Sequence, residues 1–173
     1  MLTNAKSFRT QLHAPAADQE LADKLQAFGQ FNGSWHLRWV SAASELDTLD
    51  GELHFGWVLG GRAIQDVWIV PETGATVAGR VGAFHGSTIR FYDPAIDGWR
   101  STWVEPINSR VRKFIGYNDD RGGIELISRD EDPVLRWRFS EITARSFTWT
   151  GEASVDAGHT WRLEETMFAT RTP

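Results

Sequence analysis

Four ionisable side chains interrupt runs that otherwise place apolar residues at every second position. Glu105 continues the series Trp99, Ser101, Trp103, and Glu165 stands between Leu163 and Met167. Lys113 falls between Val111 and Ile115, and Asp66 shares its phase with Ile64, Trp68 and Val70. Residues of one phase in a strand share one face, so each charge is expected among apolar neighbours. An unpaired buried charge is costly, and such a group pairs or shifts its pKa. A carboxylic acid held neutral by apolar walls can serve as general acid or base. Glu165, flanked on both sides, is the best placed, and Lys113 would stabilise developing negative charge. In the structural alternative, Glu105 leaves the sheet at a rim before Pro106 and Glu165 is tied to an Arg. A bulge would move any of these residues to the opposite face.

Other chemistries lack their residues. There is no cysteine, which removes thiolate ligands, disulfides and cysteine nucleophiles and suits a reducing, cytoplasmic compartment. No glycine-rich phosphate loop, Gly-x-Ser-x-Gly elbow or His-Glu-x-x-His pair occurs. The five His (13, 36, 54, 85 and 159) are scattered singly, so neither a metal nor a cofactor is expected.

Aromatic residues are abundant instead, with nine Trp and ten Phe against two Tyr. Trp39, Trp57, Trp68, Trp103, Trp149 and Tyr117 are expected to wall a cavity for a flat apolar or aromatic ligand. Filling a core is the plainer use of indoles, and an exposed set at a homodimer interface is a third.

The elements that must carry these residues are mostly strands. Leu21, Leu25 and Phe28 are spaced four and three apart, which predicts a helix over 18–28 that ends near Gly29. Residues 1–17 show no periodicity and read as an extended arm ahead of one domain over 18–173. From Gly33 onward, period-two runs alternate with turn signals such as Gly60-Gly61, Asp97-Gly98, Asn118-Asp119 and Asp156-Ala157-Gly158. No crossover helix separates them, so the strands are antiparallel. About ten consecutive strands must close or curl to hide their edges. The expected fold is all-β: an antiparallel up-and-down barrel with a short N-terminal helix capping one end. A two-sheet sandwich is the alternative.

Length and charge agree with one globular domain. The chain has 173 residues and a net charge of −5, which disfavours a nucleic-acid partner held through phosphates. No apolar run reaches membrane-span length, and no signal peptide is expected.

A helix followed by Gly33-Ser34-Trp35 on the first strand resembles the opening of calycin barrels, the lipocalin-like group. The resemblance implies that Trp35 closes one barrel end, with Arg171, or else Arg162, packed over it. The stretches "GGRAIQDVWIVP", "TIRFYDPAIDGWRSTWVEP" and "LEETMFATR" resemble uncharacterised bacterial proteins of the domain-of-unknown-function 1579 type, over roughly residues 25–171. Nitrobindins, the haem-binding calycins, have a glycine-rich continuation after this motif and a proximal His near the C-terminus. Here the continuation is His36-Leu37-Arg38, and His159 lies beside Gly158 in a turn, so haem is not expected. The expected function is binding of a small apolar or aromatic molecule. The alternative is a cofactor-independent lyase, isomerase or cyclase using the same cavity, and a filled structural module is the third reading.

Overall fold

The computed structural model describes residues 7–71 and 83–173, with 44–47 described by backbone only. Ten antiparallel strands form a closed barrel: β1 (Gly33–Ser41), β2 (Ser44–Val58), β3 (Ala63–Val70), β4 (Phe84–Asp93), β5 (Gly98–Glu105), β6 (Arg110–Asn118), β7 (Ile124–Ser128), β8 (Val134–Ser140), β9 (Ser146–Ser154) and β10 (Arg162–Arg171). Each strand pairs with its sequence neighbours. β1 pairs with β10 from Trp35↔Arg171 to Ser41↔Glu165, which removes both edges.

Two helices precede the barrel. Ser7 caps α1 (Phe8–Leu12), which lies within the unpatterned arm, and Ala14 N–H donates to the Trp57 carbonyl at 2.8 Å. Asp18 caps a 3-10 turn by accepting from Glu20 N–H, and α2 (Ala22–Gly29) continues from that turn. The helical spacing therefore marks the segment correctly, although its first turn is tighter than an α-helix. Leu25 and Phe28 of α2 are buried in the barrel end.

That end is a plug of rings. Phe31 lies 5.4 Å from Phe55, 5.2 Å from Phe139 and 4.8 Å from Phe147, and Phe28 meets Trp99 edge-on at 4.7 Å. Trp35 is buried, and its indole donates to the Phe31 carbonyl at 2.7 Å. Arg171, not Arg162, covers it: the guanidinium sits 4.1 Å from the ring and donates to the carbonyls of Gln30, Asn32 and Ala144. Three backbone carbonyls thus satisfy a charge that the indole face also attracts.

β6 runs in the phase opposite to the sequence reading. Val111 and Tyr117 are exposed and Lys113 points out, while Phe114 is buried and Arg112 is half-buried. On β10 a register shift between Leu163 and Glu165 turns Leu163 outward while Glu165 stays half-buried.

Candidate functional site

The β1–β2, β5–β6, β7–β8 and β9–β10 turns lie at the barrel end away from α2, and there the interior is not filled. A cavity of about 100 Å³ lies inside, lined by residues of seven strands and by Asn108 of the β5–β6 turn. Four indoles wall it: Trp68, Trp103, Trp137 and Trp149. They form a continuous set, with Trp68 5.6 Å and Trp137 5.4 Å from Trp149, and Trp103 5.9 Å from Trp137. Such tilted and edge-on pairs favour one another beyond the area they bury. Glycines make room for them. A Cβ at Gly86 would come within 2.3 Å of the Trp103 ring, and one at Gly151 within 2.9 Å of Trp149.

Trp68, Trp103 and Trp149 belong to the expected wall, and Trp137 is an addition to it. Trp39 is buried but does not line the cavity; it reaches it only through Glu165, to which its indole donates. Two other expected wall residues sit elsewhere. Trp57 is at the plugged end, where a Cβ on Gly29 of α2 would meet its ring at 2.7 Å. Tyr117 lies outside the barrel, 45% exposed, with its ring over Gly98. All nine Trp are buried or half-buried, so none forms an exposed interface patch.

Glu165 is half-buried, and Oε2 accepts the Trp39 Nε1–H at 2.6 Å. Burial pushes its carboxyl above the usual glutamate range. The Trp39 hydrogen bond and the nearby Arg110 and Arg112 charges oppose that push only in part. A carboxyl in this setting can hold or release a proton at a cavity wall. Arg112 in turn is lowered, first by its own burial and then by repulsion from Arg110.

Glu105 is buried and committed to its turn. Its carboxylate accepts from Ile107 N–H at 2.7 Å, Asn108 N–H at 2.9 Å and Asn108 Nδ2 at 2.7 Å. Burial pushes its pKa up, but these bonds prevail and hold it below the usual range. Glu105 is thus an ionised brace of the cavity rim, with its acceptor sites largely occupied.

Asp66 is fully buried and does not line the cavity. It accepts Thr88 N–H at 2.9 Å and Arg90 Nη2 at 2.6 Å. Arg90 does line the cavity, and its guanidinium lies 4.5 Å from the Phe28 ring. Lys113 stands outside, 3.8 Å from Asp130, because β6 turns its even-numbered residues inward. The cations at the cavity are instead Arg90, Arg110 and Arg112, none of which the sequence reading singled out.

His36 and His54 lie on the outer face, beside Asp50 and Glu52 respectively, and His159 is exposed in the β9–β10 turn. Among the described residues no three His, Cys, Asp or Glu side chains converge as a metal requires. Among them, too, no helix is long and apolar enough to cross a membrane.

Comparison with known proteins finds likeness in structure alone. No family model matches the chain, and a search of curated proteins returns no match. The resemblance to proteins of the domain-of-unknown-function 1579 type therefore rests on the motifs quoted above. Among solved structures, an S-type phycobiliprotein lyase, CPES, from Guillardia theta superposes with a TM-score of 0.55 at 11% identity, covering 90% of this chain and 99% of its own. Rv2717c from M. tuberculosis gives 0.55 at 13% identity, covering 93% and 99%. The likeness spans nearly the whole of each chain and, at these identities, shows the fold alone: a closed ten-stranded antiparallel barrel.

Proposed function

We propose that the barrel binds a small aromatic or apolar molecule in the Trp-walled cavity. The observation that carries this reading is the space itself. Four large side chains surround about 100 Å³ instead of collapsing into it, in a molecule whose other end is densely packed with rings. Interiors normally pack to crystal-like density, so an unfilled, ring-walled region at one end suits a guest. An apolar cavity of about 150 Å³ takes benzene; this one, at about 100 Å³ and with charged groups in its lining, takes part of a ring as it stands, and a whole ring must shift an indole or extend outward. The reading extends to a cytoplasmic protein of the domain-of-unknown-function 1579 type, which the motifs and the lack of cysteine suit.

A second reading is favoured by Glu165. A carboxyl of raised proton affinity, fixed by an indole N–H and flanked by Arg110 and Arg112, has the parts of an acid–base catalyst. That reading is a cofactor-independent lyase, isomerase or cyclase, and one structural neighbour is named as a lyase.

The test is titration of the purified protein with benzene-, indole- and naphthalene-based probes, followed by Trp emission and native mass spectrometry. Saturable binding of one molecule per chain, weakened by Trp137→Ala and Trp149→Ala, is the expected result. An emission spectrum unchanged across the panel, with no retained molecule, would return the barrel to a structural module.

A further inference from the structure

Among the described residues, three buried side-chain polar atoms have no hydrogen-bond partner: Arg90 Nε, Arg90 Nη1 and Ser101 Oγ. They are not scattered. Arg90 on β4 and Ser101 on β5 are directly paired in register, so their side chains leave the sheet on the same face, side by side. Arg90 is 1% exposed and Ser101 3%, and Arg90 lines the cavity. Buried polar atoms are almost always satisfied, and leaving one unsatisfied is costly, more so for a charged group. Three such atoms at one spot beside a cavity call for a polar partner inside it, water or the polar group of a ligand.

The donor geometry indicates the partner's chemistry. A guanidinium carries five N–H donors and accepts nothing. Asp66 takes one hydrogen of Nη2. Whichever one it takes, Nη2 keeps a second hydrogen beside either Nε–H or Nη1–H. A complete two-pronged fork therefore remains, and the planar anion that matches it is a carboxylate. The Ser101 hydroxyl adds a donor from the adjoining strand. Phe28 covers one face of the guanidinium at 4.5 Å and Phe55 lies 5.6 Å away, so the group is screened from water on the apolar side. Arg110 and Arg112 at the mouth add positive charge on the path inward.

We infer that the ligand is an aromatic carboxylic acid, with its carboxylate seated on Arg90 and Ser101 and its ring between the indoles. This deepens the ligand-binding reading above and rests on it. Asp66 is then the residue that positions Arg90. It fixes one guanidinium nitrogen and is itself anchored by Thr88 N–H, so the free fork is presented in one orientation.

The experiment compares benzoate and 2-naphthoate with their neutral amides, benzamide and 2-naphthamide, by calorimetry and by the Nε–H signal of Arg90 in nitrogen-15 NMR of the wild-type protein. The expected result is that the acids bind about tenfold or more tightly than the amides, as a charge-assisted pair requires. The Arg90 signal should move with the acids and not with the amides. Ser101→Ala, which deletes an unpartnered hydroxyl and keeps the fold, should weaken the acids severalfold and leave the amides unchanged. The double variant Asp66→Asn/Arg90→Met, which avoids stranding Asp66, should abolish the preference. Acids and amides binding equally, with the Arg90 signal still, would overturn the carboxylate seat while leaving the cavity reading intact. An acid preference that vanishes in Arg110→Gln/Arg112→Gln, with the Arg90 signal unmoved, would overturn it as well by locating the anion at the mouth. Failure of all four probes to bind would bring down both readings.

Discussion

Trp39 and Glu165 join the first and last strands of the barrel: the indole Nε1–H donates to Oε2 at 2.6 Å across the β1–β10 seam. The bond holds a carboxyl at the cavity wall whose proton affinity burial has raised. Its pH consequence has a definite sign. The folded-state pKa lies above the unfolded one, so the stability Glu165 contributes is present below the ordinary glutamate pKa and is lost as pH rises through the folded value. Glu165→Gln should therefore flatten the decline of Tm on going from acid to neutral pH. Scanning calorimetry of both proteins between pH 4 and pH 8 measures it. If a reaction exists, turnover should fall while probe affinity stays near wild type.

Glu105 behaves oppositely. Its burial is outweighed by Asn108 and the turn amides, so its pKa lies below the usual range. Its contribution is present above the unfolded pKa and is lost as pH falls through the folded one. Glu105→Gln should cost about 1–3 kcal/mol at neutral pH and make acid unfolding less steep, since one acceptor becomes a donor facing N–H groups. Urea midpoints at pH 7 and pH 4 separate these effects.

Trp35→Ala should destabilise by about 3–5 kcal/mol, the range for deleting a large buried aromatic. It also takes the ring from under Arg171 and one donor from the Phe31 carbonyl. Under conditions where the variant remains folded, its probe affinity should match wild type, because the cavity lies at the other end. A melting temperature that did not change would contradict the role of Trp35 as part of the plug.

Gly86→Ala tests the wall. A Cβ there meets Trp103 at 2.3 Å and Glu105 Cγ at 3.0 Å, so the indole must shift. Overpacking of this kind costs about 1–3 kcal/mol, and the displaced ring should weaken probe binding in the same variant.

Lys113→Ala should leave binding unchanged and stability within about 0.5 kcal/mol, as befits an outward residue with a loose ion pair. Isothermal titration and one thermal melt suffice.

The barrel was legible because antiparallel strands with one buried face alternate cleanly, as Trp35, Leu37, Trp39 and Trp99, Ser101, Trp103 do. The phase of β6 was not, because the exposed Val111 and Tyr117 share a phase with Ile115, which is buried although Arg100, its partner on β5, is exposed. The information needed lay across the hairpin. The turn over 106–109 pairs Glu105 with Arg110 and Trp103 with Arg112, and paired residues share a face. An inward Trp103 therefore requires an inward Arg112. β4 hid Arg90 in the same way, behind outward Ile89 and the exposed Phe91. A buried Arg is tolerable only with its counter-charge. Asp66 lies 24 residues away and becomes its neighbour only when β3 and β4 pair. Asp66 is buried, as its phase implies, but it does not line the cavity, and its partner was invisible to any local window.

The ring plug at the helical end also constrains traffic. With Phe28, Phe31 and Trp35 sealing that side, the barrel is a blind cup and not a channel. On the ligand-binding proposal, a guest would enter and leave by the same opening, and about 100 Å³ would hold one at a time. Any two guests should exclude each other competitively, and an incoming molecule cannot push a departing one through.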